Sequence, residues 1–167
     1  MASDYDFIRK QNMERYGTDI KRVGDMLLAN RYDDRTHFIF ELLQNAEDAL
    51  ALRKDWNGCR SVQFYLSNNA LSLIHFGKPF DEEDVRGICG IAEGTKDVTA
   101  IGHFGIGFKS VYAFTDRPQI HSGAEDFAIE NYVWPTAVTP HPRGPNETII
   151  IIPLKSIDAA ERGEIAD

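Results

Sequence analysis

The sequence predicts an α+β domain, and three observations predict it. Residues 5–54 carry apolar positions at three- and four-residue steps, the period of amphipathic helices. Residues 62–76 alternate apolar and polar side chains on either side of Asn68-Asn69, as the two strands of a hairpin do. Ile149-Ile150-Ile151-Ile152 is a continuous apolar run of strand length, expected at the centre of a sheet and covered on both faces.

The remaining elements follow in chain order. Tyr5 to Asn30 is helix-friendly, with Ile20, Val23, Met26 and Leu27 on one stripe; Gly17-Thr18-Asp19 breaks it and offers a fresh N-cap. A second helical stretch runs from about Arg35 to Lys54 and closes at Asn57-Gly58. The hairpin strands come next, over Val62 to Leu66 and Leu71 to Phe76. Pro79 and Asp81 open a short helix, Glu82 to Cys89, whose first turn is acidic as the helix dipole prefers. A helix is expected near Phe108 to Ala113, and strands near Gln119–Ser122, Phe127–Val133 and Thr148–Ile152. Pro140 to Pro145 reads as a loop, and Ser156 to Asp167 as a short or frayed helix.

A chain of 167 residues, 43% hydrophobic and 26% charged, suits one globular domain. Lys and Arg number 18 against 26 Asp and Glu, a net charge of −8. Nucleic acids and anionic membranes demand basic surface, so neither is an expected partner of these residues. A bound phosphate must be gripped by a local device. No apolar run approaches the roughly 18 residues of a membrane helix, and Met1 to Lys10 has no signal-peptide core. Cys59 and Cys89 are expected as two buried thiols in a reducing, cytoplasmic setting.

On a helical wheel, Phe38, Ile39, Leu42, Leu43, Ala46, Ala49 and Leu50 fill an arc of roughly 140°. Glu41, Asn45 and Asp48 fall together beside it, within roughly 60°. Three polar residues thus lie on the shoulder of a buried stripe, where a cleft would form. Glu41 and Asn45 are one turn apart, and a carboxylate beside an amide oxygen suits hydrated Mg²⁺ and an attacking water. Phe40 points away from the stripe and needs a cover, for which the first helix is the candidate.

Six of the 13 glycines fall between Gly87 and Gly107. Within Ile101 to Ser110 they are spaced G-x-x-G-x-G, which lets backbone N–H groups approach an anion ahead of a helix start. Lys109 could add a point charge. The segment is not a Walker A loop, because Phe108 separates the lysine from the last glycine, and its spacing is not that of the dinucleotide fingerprint. His37, His103, His121 and His141 show no zinc-ligand spacing.

Glu41-Leu42-Leu43-Gln44-Asn45-Ala46-Glu47-Asp48-Ala49 resembles the N-box of the GHKL superfamily, and Ile101 to Tyr112 resembles its second glycine box. The similarity is greatest to the ninety-kilodalton heat-shock chaperones and their sacsin-like relatives, and covers about residues 36–154. It implies a Bergerat-type α/β sandwich: a mixed, largely antiparallel sheet, helices on one face, and a glycine-rich mobile lid over Gly87 to Thr99. It implies an ATPase, slow in isolation, in which Glu41 is the catalytic base and Asn45 ligates Mg²⁺. Gly102, Phe104, Gly105, Ile106, Gly107 and Phe108 would wrap the triphosphate, and Lys96 would approach it. Asp48 would line the cleft, and Thr148 and the first-glycine-box residues His75 and Gly77 would meet adenine. ATP and ADP, further domains of a longer chain and an ATP-dependent homodimer are the partners implied. On this reading residues 1–167 form one nucleotide-binding domain with an N-terminal helical segment over 1–30, part of a longer protein.

One position departs from the family. In Ile74-His75-Phe76-Gly77, His75 stands where an aspartate normally accepts the adenine amino group. Neutral imidazole can accept one hydrogen bond, less strongly than a carboxylate. The departure favours an alternative reading, a non-catalytic nucleotide-sensing or scaffold module. A histidine kinase is disfavoured, since the first helical stretch holds no phosphoacceptor histidine.

Overall fold

The computed structural model of the chain describes residues 1–28, 37–91, 107–155 and 159–166. Five α-helices are described: α1 (Tyr5–Tyr16), α2 (Ile20–Leu28), α3 (His37–Ala51), α4 (Glu82–Cys89) and α5 (Ala159–Ala166). The strands are β1 (Gln63–Leu66), β2 (Ala70–His75), β3 (Gln119–Ser122), β4 (Glu125–Glu130), β5 (Trp134–Ala137) and β6 (Thr148–Pro153). A 3-10 helix covers Phe108–Ala113.

Local chemistry sets the helix ends. The Asp4 carboxylate accepts the Phe7 N–H and caps α1; Gly17, at φ 79°, closes it. Asp81 and Asp84 form a reciprocal capping box at α4, satisfying two N–H groups that the helix leaves open. Gly17 separates α1 from α2, as the sequence predicts.

The sheet order is β1-β2-β6-β3-β4-β5, and every pairing among the described residues is antiparallel. The isoleucine strand β6 lies between β2 and β3, with Ile149, Ile150 and Ile152 buried. Register assigns the faces. Leu71, Leu73 and His75 pair with Ile152, Ile150 and Thr148, and all six are buried on the helix side. Ile120 and Phe127 extend that surface. Against it pack Phe38, Leu42 and Ala46 of α3 and Phe108 and Val111 of the 3-10 helix. The architecture is a Bergerat-type α/β sandwich.

Four details differ from the sequence reading. The fourth strand is Glu125–Glu130, and residues 131–133 form a turn instead of continuing it. Asn131 and Tyr132 both have positive φ, 48° and 69°, the conformation a tight hairpin requires. The chain returns as β5, which the sequence reading missed because Pro135 argues against a strand. β5 is the edge of the sheet, where a missing N–H is tolerated. Cys59 is exposed and only Cys89 is buried. Phe40 remains 64% exposed, so α1 does not cover it.

The loop after β2 is pinned to α3. Lys78 N–H donates to Ala49 O at 2.8 Å, and Arg53 Nη1 donates to Phe76 O at 2.9 Å. Gly77 lies so close that a Cβ there would come within 2.6 Å of Ala49 Cβ and 2.7 Å of its carbonyl carbon. Backbone on the helix side cannot yield as a side-chain tip can. Gly77→Ala is expected to cost about 1–3 kcal/mol of stability, read as a lower denaturant midpoint at unchanged m-value.

Candidate functional site

α3 meets Gly107 with its polar flank and Gly77 with its Ala49–Leu50 backbone. Glu41 and Asp48 are part-buried, Asn45 is buried, and Gln44 and Glu47 face solvent, which is the division the helical wheel predicts. Glu41 Oε1 meets His37 Nε2 at 2.9 Å, an i,i+4 pair on the first turns of the helix. Its Oε2 faces Gly107, where any Cβ would collide with the carboxylate. Gly107 has ordinary helical torsions, φ −65° and ψ −40°, so space and not conformation demands glycine there. The α3 carboxylate and the last glycine of the glycine-rich segment are therefore neighbours.

One turn along, Asn45 is 3% exposed, and its Nδ2 has no hydrogen-bond partner among the described residues. Leaving a buried amide hydrogen unpaired costs about 1–3 kcal/mol. Almost all buried polar groups are paired, and this is one of four exceptions among the described residues, the others being His121 Nε2, Trp134 Nε1 and Thr136 Oγ1. Asp48 accepts a hydrogen bond from Gln44 Nε2 at 3.1 Å on the outer side of the flank.

The expected base-end residues lie where β2 and β6 end together. His75 and Thr148 are register partners, both buried on the helix side. Thr148 Oγ1 and Ser122 Oγ share a 2.6 Å hydrogen bond, and Ser122 Oγ also accepts the Phe80 N–H at 3.0 Å. His75 Nδ1 accepts the Gly77 N–H at 3.0 Å. Burial pushes the His75 pKa down to about 4.

Phe108 is fully buried in the main core. Lys96, Gly102, Phe104, Gly105 and Ile106, with most of the lid over Gly87 to Thr99, lie outside the described residues. Lys109 does not supply the point charge the sequence reading allowed it. Its ammonium is buried and donates to Ile88 O at 2.7 Å and Tyr132 O at 2.9 Å, tying the 3-10 helix to the end of α4 and to the β4–β5 turn. Burial lowers its pKa to about 8.

Two site neighbours escaped the sequence reading. His37 carries a usable signal, its i,i+4 spacing to Glu41. Ser122 carries none, because its role arises only where β3 meets the end of β6. Among the described residues no cluster of three His, Cys, Asp or Glu could cage a metal ion. An ion beside Asn45 would have to draw on substrate oxygens and water, which is the habit of Mg²⁺.

The buried imidazole has a thermodynamic consequence. Its folded-state pKa lies below the ordinary 6.5, so the unfolded chain binds the proton more readily. The stability of neutral His75 is complete above pH 6.5 and is lost as pH falls through about 4. Relative to a His75→Asn variant, the wild type should lose about 3 kcal/mol between pH 7 and pH 4, measured by denaturant titration. Parallel curves for the two proteins would contradict the assigned burial.

The chain matches the sacsin domain family over residues 19–131. It is 31% identical over 148 residues to Protein NO VEIN of Arabidopsis thaliana, an alignment covering 84% of this chain and 5% of that protein. It is 32% identical over 121 residues to human sacsin, covering 61% of this chain and 2% of sacsin. It is 27% identical over 183 aligned positions to the chaperone protein HtpG of Aliarcobacter butzleri, covering 88% of this chain and 28% of HtpG. The chain thus spans a small part of the length of each. No helix among the described residues is long and apolar enough to cross a membrane. With Glu41 of α3 set against Gly107 on a Bergerat-type sandwich, and a match that takes in α3 and both glycine-bearing segments, the chain belongs to the sacsin domain family, a relative of the ninety-kilodalton heat-shock chaperones.

Proposed function

We propose that this domain binds a magnesium nucleoside triphosphate and slowly hydrolyses its terminal phosphate, ATP being the nucleotide the family implies. The observation that carries the proposal is the meeting of Glu41 with Gly107, one helical turn from a buried Asn45 amide whose Nδ2, unpartnered among the described residues, can donate to a phosphate oxygen while its Oδ1 takes the metal role. Asn45 would hold Mg²⁺, which offsets phosphate charge when bound.

His37 holds one oxygen of Glu41 and leaves the other directed at the glycine. A carboxylate so oriented can accept a proton from water as the water oxygen bonds to the terminal phosphorus and the bridging oxygen leaves with the diphosphate. The backbone of Gly102, Phe104, Gly105, Ile106, Gly107 and Phe108 would wrap the triphosphate, and Lys96 would approach it. Asp48 would line the cleft, and His75, Gly77 and Thr148 would form its base end. In a longer polypeptide, turnover would drive a conformational switch of the chaperone kind. The relatives named chaperone protein HtpG support that reading.

A non-catalytic nucleotide-sensing or scaffold module is the second reading, and the histidine at position 75 favours it. Calorimetry with magnesium nucleotides separates the two readings. Absence of heat with any nucleotide, in a folded sample, would leave only a scaffold.

Under the first reading, Glu41→Ala should lower phosphate release by on the order of 10²–10⁴-fold while leaving nucleotide affinity nearly unchanged. Equal turnover in that variant would refute the role given to Glu41. Asn45→Ala should instead remove the magnesium dependence of binding.

A further inference from the structure

The base end of the cleft has its hydrogen-bond polarity fixed by the backbone. His75 Nδ1 accepts the Gly77 N–H at 3.0 Å. A ring nitrogen that accepts carries no proton, so the proton of the neutral imidazole is on Nε2. The Gly77 N–H is not free to turn elsewhere. Gly77 is wedged against Ala49 and Leu50, and the next N–H, that of Lys78, is committed to Ala49 O at 2.8 Å. Burial keeps the ring neutral near pH 7. Among the described residues, the Nδ1 bond to Gly77 is the only hydrogen bond of the ring.

A carboxylate at this position can only accept, and so can take a hydrogen from an exocyclic amino group. His75 has spent its acceptor on Gly77 and offers only an Nε2–H. Polarity at the position is therefore reversed. The neighbouring Thr148 and Ser122 hydroxyls bond each other, and because a hydroxyl can serve either partner they impose no polarity of their own.

We propose that this site selects purine nucleoside triphosphates with an oxygen at C6 over adenine nucleotides, because His75 presents a donor where adenine requires an acceptor. The inference rests on the cleft being a nucleotide site. A C6 oxygen accepts the Nε2–H directly. A C6 amino group sets two donors against each other and leaves both unpaired, and sites built around one hydrogen-bond polarity reject the mismatched analogue strongly.

Titration calorimetry of the chain with magnesium ITP and magnesium ATP tests this, because the two bases differ at C6 and in the N1 proton that follows from it. ITP should bind at least about tenfold more tightly than ATP. His75→Asn, whose amide can accept from Gly77 and still donate onward, should keep that order. His75→Asp should reverse it. The wild-type comparison decides the matter even if the aspartate variant does not fold. ATP binding as tightly as ITP, or more tightly, would overturn the selectivity and leave the nucleotide site standing. Heat from neither nucleotide would overturn the site itself, and the selectivity with it.

Discussion

Two glycines let the chain lie directly on one helix at two places, and the candidate site depends on that approach. Gly77 sits against the Ala49–Leu50 backbone toward the C-terminal end of α3, and Gly107 sits against the Glu41 carboxylate near its beginning. Neither position has the positive φ that usually explains a glycine. Their use here is proximity. A methyl group at Gly77 would push the loop off the helix backbone, and one at Gly107 would displace the carboxylate from its place. The first shift meets backbone and is costly to absorb, whereas the second moves the end of one side chain and so changes the site more than the fold. One helix thus sets where its own polar flank stands relative to both loops.

Most polar groups around this contact find at least one partner among the described residues, and the Asn45 amide nitrogen does not. Arg53, Ser122, Thr148, His75 and Lys109 all end on partners supplied by the fold. Lys109 in particular replaces water with two carbonyls from different segments, one of them in a turn where Tyr132 holds φ 69°. Such a residue, strained in the left-handed region, persists where its surroundings over-determine it. Asn45 differs, for its Nδ2 has no partner among the described residues and lies on the same flank as Glu41. Among the described residues His121 Nε2, Trp134 Nε1 and Thr136 Oγ1 are buried without a partner too, and what sets Asn45 apart is its place on the α3 flank beside Glu41.

Much of this was legible in the sequence, for identifiable reasons. Periodicity gave α3 and its polar shoulder, because 3.6 residues per turn leaves Glu41, Asn45 and Asp48 together whatever the tertiary context. The isoleucine run gave the central strand, since few other environments accept four consecutive β-branched apolar residues. What could not be read was non-local. The edge strand β5 hides behind Pro135, whose tolerance depends on a position in the sheet that only topology assigns. Lys109 follows a run of glycines and looks like a phosphate ligand; that Ile88 and Tyr132 would present carbonyls to it is a fact of three segments meeting. The acceptor role open to His75 in the sequence was closed by a single N–H two residues along. A chain-local pattern carries no information about which nitrogen of a ring the backbone will occupy.

Charge narrows how an anion could enter this cleft. The chain carries a net −8, and α3 adds Glu41 and Asp48 to the very flank where a triphosphate would lie. Lys109, the cation nearest to Gly107 in sequence, is committed to carbonyl oxygens and points away from that role. At about 4 Å, two like charges repel by roughly 1 kcal/mol in bulk water and several times more in a partly buried site. Backbone N–H groups can orient phosphate oxygens, but as partial charges they do not cancel a triphosphate. In the proposed function, therefore, magnesium is more than a participant in chemistry. It is the charge that lets the nucleotide approach an acidic helix, and binding should be coupled to the metal before any bond is broken.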